Sequence, residues 1–325
     1  MKAIIPVAGS GSRLHPITAN TPKAMIPVAG KPVIEYILDR VLELGISEVI
    51  LVISPSGGAI KKFVEKNYDF KTHYILQPEP LGIGHAIHQC RFLLENEPIT
   101  IILGDVIYLS DFSFLGQQPK QGMVGVKTVV ENLDQYGLVR VKSERITSLV
   151  EKPDYPFSNL AIAGIYYFPQ PKSLMVALEK LFQLGKKTRN EYQLTDALQL
   201  LVDQGEDLLT FEVEESYDCG TPEKLLEANR RLLDLNGKDY EFPGSVIIPP
   251  VNIAKGARIE KSVVGPHVAI SGKASVTGTI VRDAIIGMHA KIENCKLRGS
   301  IIIPDTILTG VVQESSAGRQ SEVFV

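Results

Sequence analysis

Cysteine is scarce: Cys90, Cys219 and Cys295 are odd in number, far apart, and outside any CxxC or Cys/His ligand spacing. That excludes a disulfide framework and a thiolate metal site, and leaves reduced, packed thiols. A surplus of positive charge is also missing. Lys and Arg number 34 against 37 Asp and Glu, a formal net charge of −3, which argues against a surface built to neutralise nucleic-acid phosphates. Long hydrophobic runs are missing too. No stretch approaches the ~20 apolar residues that span a bilayer. The first apolar segment, about six residues, falls short of the roughly 7–15 of a signal-peptide core. What remains, 44% hydrophobic and 22% charged over 325 residues, is the composition of a soluble globular protein with one large domain or two of ordinary size. The expectation is a cytoplasmic protein with neither a membrane nor a nucleic-acid partner.

The first half alternates strand-like and helix-like patterns. "KAIIPV" reads as a strand, and "KPVIEYILDRVLEL" puts apolar residues at 33, 34, 37, 38, 41 and 42, a helical stripe closed by Gly45. Strands are expected at 48–53, 72–76 and 99–103, with helices at 57–66 and 83–94. Such alternation implies βαβ units, a mostly parallel mixed sheet and ligands at the carboxyl ends of its strands. Further strands at 122–129, 137–141, 145–150 and 160–168 and helices at 171–183 and 191–204 follow. Thr221 and Pro222 then open a helix as N-cap and N1.

After about residue 243 helical periodicity ends. Ile253, Ile259, Val264, Ile270, Val276, Val281, Ile286 and Ile292 recur every five to six residues with small residues between. This hexapeptide period is the mark of a parallel β-helix of roughly three or four coils. The expected domains are 1–240, an α/β Rossmann-like catalytic domain; 241–312, a left-handed β-helix; and 313–325, a tail.

"AGSGSRLHPIT" (8–18) leaves the first strand through a Gly/Ser loop. A dinucleotide fingerprint fails because Leu14 stands where the third glycine belongs, and Pro16 interrupts the helix. A Walker A loop fails because no lysine follows. What is left is a loop of amides from Ala8, Gly9, Ser10, Gly11 and Ser12, then Arg13, a bend, and Lys23 held beside Pro22. Two cations beside such amides suit a polyphosphate. Lys31 reads equally well as a surface lysine entering a helix.

Together, "AGSGSRLHPIT…TPKAMIPVAGKPVIEYIL" resembles the sugar-1-phosphate nucleotidyltransferases, and most of all their longer, glucose-1-phosphate thymidylyltransferase-like members with a C-terminal β-helix. The resemblance implies transfer of a nucleotidyl group from dTTP or UTP to a hexose 1-phosphate, releasing pyrophosphate. In "LQPEPLGIGHAI" it implies that Gln77 reads the pyrimidine edge, with Pro80 and the Gly82 amide beside it. "ILGDVIY" and "SYDCGTPE" supply Asp105 and Asp218 for Mg²⁺, although Val106 and Tyr217 depart from the family pattern. On the sugar side it implies Tyr136, Gly137, Glu151, Lys152, Ile162 and Gly164, with Arg189 and Glu191 of "RNEYQLTDAL" supporting them and Thr195 and Asp196 organising the next helix. Asn190 stands where the family carries Gly. Arg13, Lys23, Asp105, Lys152 and Asp218 are the expected catalytic set.

A phosphate monoester has a second pKa of about 6, so the attacking oxygen is already ionised and needs no general base. Alignment and charge neutralisation then carry the reaction. Two other classes fit less well: a silent nucleotide-binding subunit, disfavoured because all five catalytic candidates are present, and an acyltransferase, disfavoured because the segment is short and His267 and His289 read as exposed corners. The β-helix is expected to contribute to a homo-oligomer, and its truncation near Phe242 to disturb assembly more than chemistry.

Overall fold

The computed structural model describes residues 1–310, so the expected tail lies outside the described residues. Two compact units form. The first is Met1–Ser10 with Tyr36–Ser216, and the second is Gly11–Glu35 with the chain from Tyr217 onward.

The first unit is built on a nine-stranded mixed sheet. From one edge its strands are Lys71–Leu76, Glu48–Ile53, Lys2–Pro6, Ile99–Ile102, Leu160–Phe168, Gly122–Thr128, Leu208–Glu212, Arg145–Glu151 and Gly137–Lys142. The first four are parallel, in register from Lys2 to Glu48 and Ile99. The apolar runs of the three inner ones, Glu48–Ile53, Lys2–Pro6 and Ile99–Ile102, are largely buried, as strands covered on both faces require, whereas the edge strand Lys71–Leu76 is half-buried to exposed. Leu160–Phe168 then runs antiparallel to Ile99–Ile102, which brings its amino end to the carboxyl end of the parallel group. Residues 137, 151, 162 and 105 are thereby collected at one end of the sheet.

The helices are α1 (Val33–Glu43), α2 (Gly58–Asn67), α3 (Ile83–Gln89), α4 (Lys172–Gln183), α5 (Leu194–Asp203) and α6 (Pro222–Asn236). Five of the six stripe positions in α1 are buried, but Leu42 is 53% exposed. It lies at the edge of the apolar arc, where the helix turns away from the sheet. The helix expected over 83–94 ends at Gln89 and tightens into a 3₁₀ turn, Cys90–Leu93. The helix expected from 191 begins at Leu194. Arg189 and Asn190 adopt left-handed backbone, and the Tyr192 amide donates to the Leu81 carbonyl instead. Asn tolerates that conformation better than most residues, which accounts for its standing where the family carries Gly. All three cysteines are buried thiols outside any disulfide.

In the second unit, three faces of short parallel strands stack into four coils between Val246 and Thr309. Val246 pairs with Val263 and Val263 with Ile280, one coil apart. All eight residues of the expected hexad series are buried. Lys261, His267, Lys273, His289 and Asp305 turn corners in left-handed backbone. His267 is a correction: it turns a corner but is half-buried instead of exposed, its Nε2 2.8 Å from Asp234 of α6. Thr221 caps α6 by accepting from the Lys224 amide, and α6 packs along the coils at Val268–Ile270, Ile280–Ile286 and Lys296–Ile302.

Among the described residues no helix is long and apolar enough to cross a membrane.

Candidate active site

In the first unit the expected sugar-side residues converge. Gly137 and Glu151 face each other in the antiparallel ladder. A Cβ on Gly137 would lie 2.9 Å from Glu151 Oε2, 2.9 Å from the Ile162 side chain and 3.1 Å from Thr195 Oγ1. Thr195 donates to Glu151 Oε2 at 2.6 Å. Its hydroxyl thus orients the carboxylate and does not only begin α5, a role missing from the sequence expectation. Lys152 Nζ lies 3.4 Å from Glu151 Oε1, and the Lys152 amide donates to the Tyr136 carbonyl at 3.0 Å. Arg189 donates to the Lys152 carbonyl at 3.4 Å. Gly164 has φ +89° and accepts from the Leu103 amide, beside the Tyr108 hydroxyl. Asp105 is half-buried in the turn between Ile99–Ile102 and Val106–Tyr108.

The base-side segment is clamped by the Arg189–Gln193 segment. Tyr192 gives its amide to Leu81 and takes that of Gly84, both at 2.8 Å. Gly82 has φ +103°, and a Cβ there would lie 2.6 Å from the Tyr192 carbonyl oxygen and 2.9 Å from Glu191 Cβ. Only glycine fits both demands. Gln77 is 5% exposed. Its Nε2 donates to the Gly82 carbonyl at 3.2 Å and lies 2.9 Å from His85 Nδ1. Glu191 accepts from Gln193 at 3.0 Å, while Pro80 is exposed at the turn in which the Leu81 amide bonds to Glu79.

In the second unit the phosphate-loop cations gather on one carboxylate. Gly11 opens a 3₁₀ turn, Ser12–Leu14, with φ +64°. Its carbonyl accepts from the Thr18 hydroxyl at 2.8 Å, and a Cβ would meet the Thr18 methyl at 2.7 Å. Leu14 is fully buried beneath the turn, leaving Arg13 exposed. A Cβ on Gly220 would lie 2.7 Å from Asp218 Oδ1, 2.9 Å from Arg13 Nη2 and 3.3 Å from Lys23 Nζ. Lys224 Nζ donates to Asp218 Oδ2 at 2.7 Å. Burial works to raise the Asp218 carboxyl, but the Lys224 hydrogen bond and the charges of Lys224, Lys23 and Arg13 outweigh it and hold the group below its ordinary value. Lys224 was not singled out in the sequence. The available signal was a cation in the first turn of a helix, where the dipole disfavours it.

The remaining expected loop residues Ala8, Gly9 and Ser10 follow the first strand, Ala8 buried and the other two exposed, with Ser12 exposed in the turn. Among the described residues no group of three or more His, Cys, Asp or Glu could hold a metal. A cation here would complete its shell with substrate oxygens, as Mg²⁺ commonly does.

Residues 2–234 match the family model described as nucleotidyl transferase, and residues 235–323 match the one described as GlmU-like, C-terminal hexapeptide. The glucose-1-phosphate thymidylyltransferase of Streptomyces antibioticus is 30% identical, over 99% of this chain and 93% of that protein. The bifunctional protein GlmU of Methanocaldococcus jannaschii is 36% identical, over 76% of this chain and 60% of that protein. A solved structure of UDP-glucose pyrophosphorylase complexed with UDP-glucose shares 27% identity and a TM-score of 0.64, over 72% of this chain and 98% of that one.

Proposed function

The chain belongs to the nucleotidyl transferase family, and from that premise we propose that it transfers a nucleotidyl group from dTTP or UTP to glucose 1-phosphate, releasing pyrophosphate. Sugar-1-phosphate nucleotidyl transfer is the activity of the relatives it matches over its full length. The observation that carries the reading is the set of three cations around the ionised Asp218. Such a set suits a polyanionic substrate that arrives with a divalent cation.

The attacking phosphate oxygen is ionised near neutrality, so the chain has no proton to remove. The difficulty is bringing two anions together. On this reading Arg13 meets the departing pyrophosphate, Lys23 balances charge near the α-phosphorus, and Lys152 holds the sugar phosphate. Glu151, oriented by Thr195, takes sugar hydroxyls, with Ile162 and Gly164 beside the ring. The Asp218 oxygens are hard donors in the ionised state and fit Mg²⁺. Asp105 is the second carboxylate the reading requires. When bound, Mg²⁺ neutralises phosphate charge.

The test is a panel of nucleoside triphosphates against hexose 1-phosphates in Mg²⁺, read as pyrophosphate release. Turnover of dTTP or UTP with glucose 1-phosphate is expected. Asp105→Asn is expected to lower kcat by about 10²–10³, and near-normal turnover in saturating Mg²⁺ would remove Asp105 from the metal. Nucleotide binding without pyrophosphate release would point instead to a silent regulatory subunit.

A further inference from the structure

Resting on the reading that Gln77 meets the base, we propose that His85 and Gln89 form a relay that holds the Gln77 amide with its oxygen toward the nucleotide. The site would then select bases carrying an imide N–H, uracil and thymine, over cytosine.

An amide nitrogen carries two hydrogens and no acceptor. Gln77 Nε2 directs one to the Gly82 carbonyl at 3.2 Å and the other to His85 Nδ1 at 2.9 Å. Both donors are committed inside the protein, which leaves Oε1 as the group this side chain offers to a ligand. His85 Nδ1 accepts only as an unprotonated nitrogen, so the imidazole is neutral with its hydrogen on Nε2. That nitrogen lies 3.0 Å from Gln89 Nε2. Since both would then be donors, the relay requires the Gln89 amide turned end for end so that its Oε1 accepts the hydrogen, the two ends of an amide being told apart only by their hydrogen bonds. The ring meets Phe182 edge to face, with centroids 6.1 Å apart. Burial, with His88 and Lys187 nearby, keeps His85 below its ordinary value against the opposing pull of Glu79, which agrees with a neutral ring.

Neither fixed point can drift. The Gly82 carbonyl is set by the left-handed backbone wedged against Tyr192, and His85 and Gln89 are four residues apart on α3, on one face of the helix. Uracil and thymine present an N3 hydrogen to an acceptor. Cytosine presents a bare N3 at the same place, and two acceptors facing each other leave a buried group unsatisfied.

The test compares the full-length protein with His85→Leu, His85→Gln and Gln89→Leu, measuring kcat and KM for UTP, dTTP and CTP at saturating glucose 1-phosphate. His85→Leu is expected to raise KM for UTP and dTTP about tenfold, to keep kcat within about twofold and to shrink the UTP-over-CTP preference about tenfold. His85→Gln keeps an oxygen that can accept from Gln77 and is expected to recover most of the preference. Gln89→Leu should move it in the same direction as His85→Leu by a smaller factor. Equal rises in KM for UTP and CTP, a loss confined to kcat, or failure of His85→Gln to recover the preference would each overturn the relay. Should His85→Leu fail to fold, Gln89→Leu and His85→Gln carry the comparison alone. A wild-type protein that turns over no pyrimidine nucleotide would overturn the proposed function instead, and the same panel reveals that before any variant is made.

Discussion

Lys224 and Asp218 form the contact on which the proposed phosphate side of the site turns. The lysine sits in the first turn of α6 and donates to Asp218 at 2.7 Å, which helps hold that carboxyl down against its burial. In Lys224→Met the carboxyl should rise toward its ordinary value, because one of the three opposing cations is gone. The acid limb of kcat/KM against pH is therefore expected to move to higher pH, and an unmoved limb would separate Lys224 from the chemistry. A second charged cluster concerns stability. Burial works to raise the Glu48 carboxyl, but hydrogen bonds from Lys71 and His73 and the charges of Lys2 and Lys71 outweigh it, leaving it below 4.5. A carboxyl depressed on folding contributes stability above its unfolded value, and the contribution is lost as pH falls through the folded value. Glu48→Gln should lower the thermal midpoint by about 1–3 °C at neutral pH, a difference that fades as pH falls through the depressed folded value. Cys90, by contrast, is buried and its thiol is pushed up to about 12, so it is expected to resist alkylation in the folded protein.

At the scale of elements, α6 is the organiser of the second unit. Asn229 is fully buried on it. Its Oδ1 accepts from the Ala29 amide at 2.9 Å and its Nδ2 donates to the His267 carbonyl at 3.2 Å. One side chain thus ties the segment that follows the phosphate loop to a β-helix corner. Arg230 adds an ion pair to Asp283 at 2.8 Å. Asn229→Ala leaves two backbone groups without these bonds, which should cost about 2–4 kcal/mol. The loss would be read as a fall in thermal midpoint, accompanied by a higher KM for the nucleotide if the loop shifts with Ala29. The hexads and the α6 cap are legible in the sequence, since both rest on local rules: small residues at corners, apolar residues inward, Thr then Pro at a helix start. The start of α5 is not. It depends on Tyr192 pairing with Leu81, more than a hundred residues earlier in the chain.

For the molecule as a whole, the division of the chain changes the meaning of the β-helix. Arg13, Lys23 and Asp218 belong to the same compact unit as the coils, so truncation at Phe242 would remove His267 from Asn229 and Asp283 from Arg230. The expected result is a loss of both thermal stability and nucleotide affinity, not of assembly alone. A truncated chain with unchanged KM for the nucleotide would show the coils to be dispensable for the loop. The sequence by itself determined the α/β first half, the hexapeptide coil, the family and the identity of most candidate residues. These follow from local periodicity and from motifs that are contiguous in the chain. Only the tertiary structure decided that Thr195 orients Glu151 across 44 residues, that Lys224 holds Asp218, and that His85 and Gln89 line up behind Gln77. A hydrogen bond between side chains depends on where packing carries their backbones, and no spacing in the sequence records that.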